Sequence, residues 1–137
     1  MAMTFAYEET LAAMTRVVCS WTSDADGDAA GTTKKLAGRI VKGITVPSAV
    51  AAPTDNYNIV LTDEQGVNLL TNSQDDLQAR DTANTEEVYF PLELGTAAAN
   101  VYAGNAYPVF CEALTVTVSA AGDTKSGTLY LYIAPGA

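Results

Sequence analysis

The sequence contains no histidine, two cysteines, one tryptophan and only seven cations against sixteen carboxylates. Without histidine the Ser-His-Asp and Cys-His catalytic arrangements are excluded, and so is the commonest zinc ligand. Cys19 and Cys111 stand too far apart in sequence to form a zinc pair. Both fall in strand-like segments beside apolar residues, so buried thiols in a reducing compartment are expected. A net charge of −9 argues against nucleic acid, whose affinity rests on Lys and Arg displacing counterions. It argues equally against an anionic membrane surface. No apolar run approaches the ~18 residues of a membrane helix. The opening residues Met1 to Glu9 carry neither the basic nor the apolar region of a signal peptide, so a soluble protein made in a cytoplasm is expected. Phosphate-cradling loops of the G-x-x-x-x-G-K and G-x-G-x-x-G types are absent as well.

What remains is a chain of 137 residues, enough for one domain, 1–137, and not for two independent cores. Alanine supplies 23 of the 66 hydrophobic residues, while Leu, Ile, Val and Phe together number 30. The core is therefore modest, and a partner surface would help it. The charges are unevenly spread. Lys34, Lys35, Arg39 and Lys42 make a basic stretch, whereas Arg80 is the single cation among eleven carboxylates between Gly43 and Thr124. Such a stretch can meet an acidic surface on a second copy or another protein.

Apolar residues recur with a period of two. Val17, Cys19 and Trp21 share one face; so do Tyr57, Ile59 and Leu61; so do Leu129, Leu131 and Ile133, with Tyr130 and Tyr132 on the opposite face. Leu114 to Val118 alternates apolar residues with threonine. Asp24–Asp28 reads as a loop, Asp63–Gly66 as a tight turn, and Ala121-Gly122-Asp123 as a hairpin between the last two strands. Gly38 and Gly43 predict a bulge or bend within Lys34–Val46. The strands expected are 4–10, 14–22, 35–46, 57–63, 86–92, 108–119 and 126–133, with another near 67–71. The 67–80 stretch resists the pattern, and 97–106 reads as a loop. The fold class that follows is all-β: a single-domain antiparallel two-sheet sandwich of jelly-roll or Greek-key type. Residues 1–13 are either its first strand or an N-terminal arm laid across a neighbour.

Few residues offer chemistry. Asp24-Ala25-Asp26-Gly27-Asp28 fails as a calcium loop, because Ala29 and Lys35 occupy the positions that need Gly and a bidentate Glu. Glu86, Glu87, Glu93 and Glu112 could supply paired carboxylates, and Glu112 interrupts an apolar face, which also suits an edge-strand gatekeeper. No catalytic, metal-binding or cofactor-binding residue emerges. The interface candidates are Phe5 and Tyr7 near the start, the cations Lys34, Lys35, Arg39 and Lys42, and the outward Tyr130 and Tyr132.

The segments Pro53–Gly66, Leu114–Val118 with Gly122–Tyr130, and Trp21–Gly27 resemble strands and turns of small virion proteins of tailed bacteriophages. The likeness spans most of residues 17–133, and it is greatest to the capsid cementing, or decoration, proteins. It implies a role and no active site: a jelly-roll-like module on the capsid exterior, binding the major capsid protein, often as a homodimer. The rival reading is a head spike or tail component that binds host glycans through Tyr130, Tyr132, Tyr102 or Tyr107.

Overall fold

The computed structural model describes residues 2–9, 14–69, 77, 80–89, 92–93, 105–106 and 109–135. Among them are eleven strands and no helix: β1 (Ala2–Glu9), β2 (Thr15–Thr22), β3 (Ala29–Thr32), β4 (Leu36–Pro47), β5 (Asn58–Thr62), β6 (Glu86–Tyr89), β7 (Leu92–Glu93), β8 (Asn105–Ala106), β9 (Val109–Glu112), β10 (Thr115–Ser119) and β11 (Ser126–Ala134). The larger sheet is antiparallel with the order β1-β2-β11-β4-β6. β9 shares with β6 the edge of β4 that faces away from β11, β9 pairing Leu36–Arg39 and β6 pairing Lys42–Thr45. The smaller sheet has the order β3-β10-β5, and β7 pairs β8 separately. The all-β, two-sheet expectation stands.

The alternation seen in the sequence sends one set of side chains between the sheets. Val17, Cys19 and Trp21 of β2, Leu129, Leu131 and Ile133 of β11 and Ile40 of β4 are buried, as are Ile59 and Leu61 of β5 and Val116 and Val118 of β10. Each such side chain contributes roughly 1.5–3 kcal/mol when taken from water. The Trp21 and Tyr57 rings tie the two halves together, with centroids 5.5 Å apart and planes tilted by 50°. Met3, Phe5 and Tyr7 of β1 pack half-buried against this core. Burial raises the Cys19 thiol to about 12, which keeps it protonated and inert.

Several expectations change. The expected strand 86–92 contributes β6 and β7 to different sheets, and β8 lies in the expected loop 97–106. β3 was not foreseen, because Ala-Ala-Gly-Thr has no bulky alternation; Gly31 lies beneath Met3 and Phe5 instead. The single strand 108–119 is two, broken at Ala113-Leu114, and its halves join different sheets. The turn at Ala121–Asp123 is therefore a crossover between sheets and not a hairpin. Cys111 is exposed, since it follows the inward Phe110. The bulge foreseen in β4 is present: the register slips between Tyr132 and Ile133, leaving Val41 as the extra residue. Of residues 1–13, Ala2–Glu9 form the first strand of the large sheet, and the rest lie outside the described residues. In the 67–71 region Asn68 forms an isolated bridge to Thr62; 70–76 and 94–104 are likewise outside the described residues.

Two turns repeat one pattern. In Asp24–Asp28, the Asp24 Oδ1 accepts from the Asp26 and Asp28 amides at 2.9 and 3.0 Å, and the Gly27 amide donates to the Asp24 carbonyl. In Asp63–Val67, Asp63 Oδ1 accepts from Gln65 and Val67 at 2.9 and 2.8 Å, and Gly66 donates to the Asp63 carbonyl. The first and fifth residues of both also share an amide-to-carbonyl bond. Asp24 thus spends its Oδ1 on backbone, as expected of an Asx turn.

Candidate functional site

The residues that alternate away from the core lie on the outer face of the large sheet, where the register sorts them into rows. One row runs Glu8–Arg16–Tyr132–Lys42 across β1, β2, β11 and β4. The next runs Ala6–Val18–Tyr130–Ile44 and ends at Glu87 of β6. A third runs Thr4–Ser20–Thr128–Val46. Apolar and aromatic side chains at outward positions on three adjacent strands form a contiguous patch. Val18, Ile44, Val46, Tyr130 and Tyr132 are each half-buried there.

The charges on this face are paired within it. Arg16 Nη2 lies 2.9 Å from Glu8 Oε2, and Arg16 Nε lies 3.1 Å from Glu8 Oε1. Its guanidinium carbon sits 5.1 Å from the centroid of the Tyr130 ring. Hydrogen bonding to Tyr132, and then to Glu8, raises the Arg16 pKa above its ordinary value. Lys42 Nζ stands 4.6 Å from the Tyr132 centroid and 3.7 Å from Glu87 Oε1. Each ring therefore carries a cation over one face, an arrangement worth ~0.5–1 kcal/mol where exposed.

At the end of the face nearest the Ala2 end of β1, the rows shrink to small and hydroxylated residues. A shallow groove of about 510 Å³ opens there, lined by Thr4, Ser20, Thr22, Val46, Ser126 and Thr128 among others. At the opposite end, a depression of about 260 Å³ is lined by Glu8, Met14, Arg16 and Tyr132.

The expected interface residues do not converge. Tyr130, Tyr132 and Lys42 meet on the outer face. Phe5 and Tyr7 point the other way, toward the small sheet, and Lys34 joins them: its Nζ lies 4.4 Å from the Tyr7 centroid and its amide donates to the Tyr7 hydroxyl at 2.8 Å. Lys35 is exposed on the connection before β4, and Arg39 lies beyond the bulge from Lys42. The basic stretch is thus divided between two sides of the large sheet. Val18, Ile44, Val46 and the Glu8–Arg16 pair were not singled out in sequence. Their signal was the outward parity of apolar residues in strands whose inward parity was already apolar.

The carboxylates serve structure. Glu64 and Glu112 reach across to each other's segments: Glu64 Oε2 accepts from the Ala113 amide at 3.0 Å, and Glu112 Oε2 accepts from the Glu64 amide at 3.3 Å. Backbone amides hold the Asp24 and Asp81 carboxyls below the ordinary range. Among the described residues no group of three or more Cys, Asp or Glu is placed to hold a metal ion. Tyr102 and Tyr107, the other glycan candidates, lie outside the described residues, as does the side chain of Glu93.

No family model, curated protein or solved structure matches this chain.

Proposed function

We propose that this chain is a virion structural protein that binds the exterior of an icosahedral phage capsid and cements neighbouring major capsid subunits against the pressure of packaged DNA. It acts as a binding module and not as an enzyme, reaches the virion after synthesis in the host cytoplasm, and has the major capsid protein and a second copy of itself as partners. The observation that carries this reading is the outer face of the large sheet, whose apolar and aromatic rows are interleaved with internally paired charges. Covering these rows leaves their charges, Glu8 with Arg16 and Lys42 with Glu87, paired; an unpaired charge is the costly outcome in a desolvated interface. Four strands and seven residues, at ~4.8 Å and ~3.4 Å spacing, make a face of roughly 450 Å². That is about half of the ~800 Å² per partner in a standard interface. A module repeated over a shell gains the remainder by multivalency, and binding selective for the folded state supplements its modest core.

The glycan-binding alternative needs ring faces open for stacking. Arg16 and Lys42 already cover one face each of Tyr130 and Tyr132, which favours the docking reading.

The test is stoichiometry and site together. Purified particles are expected to contain this chain at one copy per shell subunit or a simple fraction of it. The variant Tyr130→Ala/Tyr132→Ala, in half-exposed positions, is expected to fold and to lose particle binding. A few copies per particle would move the protein to a vertex or tail, and absence from particles would overturn the virion role.

A further inference from the structure

We infer that β1 is the seam of a two-fold homodimer, in which the edge strands of two copies pair antiparallel about Phe5 and merge the two large sheets. The inference rests on the second-copy part of the reading above and adds where and how that copy binds.

β1 ends the large sheet: among the described residues it pairs β2 along all eight positions without a register shift, and no strand pairs its other side. Natural edges of this length are usually guarded by Lys, Pro, a bulge or an inward charge. Ala2–Tyr7 has none of these, and the carboxylates Glu8 and Glu9 stand together at one end. The side chains add a second argument. Met3, Phe5 and Tyr7 face the core side yet are only half-buried, so an apolar row lies unfinished along the open edge.

Which strand completes it follows from charge and parity. A parallel copy would set Glu8 and Glu9 against the same carboxylates, which is destabilising. An antiparallel copy places them at opposite ends. Opposed residues must share a face, so the two-fold can fall on a residue but not between residues. Centred on Phe5, the pairing spans Ala2–Glu8. Phe5 meets Phe5 of the second copy, Met3 meets Tyr7, Thr4 meets Ala6, and Ala2 meets Glu8, whose charge is already held by Arg16. Every apolar residue of the row then faces an apolar residue, and aromatic cross-strand pairs are among the most favourable. The outer faces of the two copies become one continuous surface, doubling the docking face.

Sedimentation equilibrium of the full chain across a wide range of concentration provides the test, with amide hydrogen exchange along β1. The wild type is expected to dimerise and to protect β1 amides as concentration rises. Thr4→Lys/Ala6→Lys, at two exposed positions, sets lysine against lysine at both Thr4–Ala6 contacts, and self-association is expected to weaken roughly tenfold. Thr4→Lys/Ala6→Glu sets opposite charges there and is expected to restore it. Ala30→Lys, exposed on β3, controls for an added cation. A wild type that stays monomeric overturns both the seam and the second-copy reading. A dimer indifferent to the lysine pair, or not restored by the Lys/Glu pair, overturns the seam alone. Should the variants misfold, the wild-type exchange decides: β1 protection independent of concentration overturns the seam.

Discussion

The turns Asp24–Asp28 and Asp63–Val67 share their local hydrogen bonds but differ in what holds them to the rest of the molecule. The first is fastened through backbone: the Ala121 amide donates to the Gly27 carbonyl at 3.0 Å, and the Thr124 amide to the Asp24 carbonyl at 3.3 Å. The second is fastened through the Glu64 and Glu112 carboxylates, on an exposed turn. A backbone anchor cannot yield, whereas a side-chain anchor can rotate away into water. The same local code therefore makes a junction in one place and a tolerant surface turn in the other.

The glycines test this difference most sharply. Gly27 has φ +89°, and a Cβ there would lie 2.8 Å from the Gly122 amide nitrogen; Gly66 has φ +81° and open space around it. Gly27→Ala is expected to cost roughly 2–3 kcal/mol, combining backbone strain with an immovable neighbour. Gly66→Ala is expected to cost about 1 kcal/mol, from the left-handed conformation alone. Urea denaturation of both variants measures the gap, and equal losses would break the comparison.

Removing the anchoring carboxylates should give smaller losses in the same order. Asp24→Ala is expected to lower the urea midpoint more than Asp63→Ala, because loosening the first turn also loosens its bonds to the 121–124 segment. Asp24 further sets a pH window. The Asp28 amide first, and the Asp26 amide after it, depress its folded pKa. The stabilisation is therefore fully present above the ordinary carboxyl value of ~3.9 and is lost as pH falls through the folded value. Asp24→Asn is expected to flatten the acid limb of the stability curve; an unchanged limb would place the pH dependence elsewhere. Last comes Glu64→Ala, expected to change stability by no more than about 0.5 kcal/mol, as a change at an exposed, screened position.

Both turns were legible in sequence, since Asp followed three residues later by Gly writes its own geometry. So were the inward residues of β2, β5 and β11, whose alternation is unbroken. What escaped was set by partners distant in the chain. Gly122-Asp123 supports a hairpin and an inter-sheet crossover equally well; only the pairing of β10 with β3 and β5 decides between them. Ala29–Thr32 became a strand because Val118 and Val116 needed a neighbour and small residues left room for Met3 and Phe5. Cys111 was misread by neighbourhood when parity with Phe110 would have placed it outward. The outer-face residues were legible in part. Tyr130 and Tyr132 follow from alternation, but Lys34 lies on the connection before β4, where alternation does not reach, and its contacts with Tyr7 place it on the other side from Lys42.

β11 lies between β2 and β4, paired in antiparallel register along nearly its whole length on both sides. A tension drawn along that strand loads both ladders in shear, so their hydrogen bonds share the force and must fail together. A pull across the sheet would instead open them one at a time, as a zipper. The centre of the molecule is thus stiffest along one direction, and a module placed with that direction across a shell joint would resist stretching with its strongest axis.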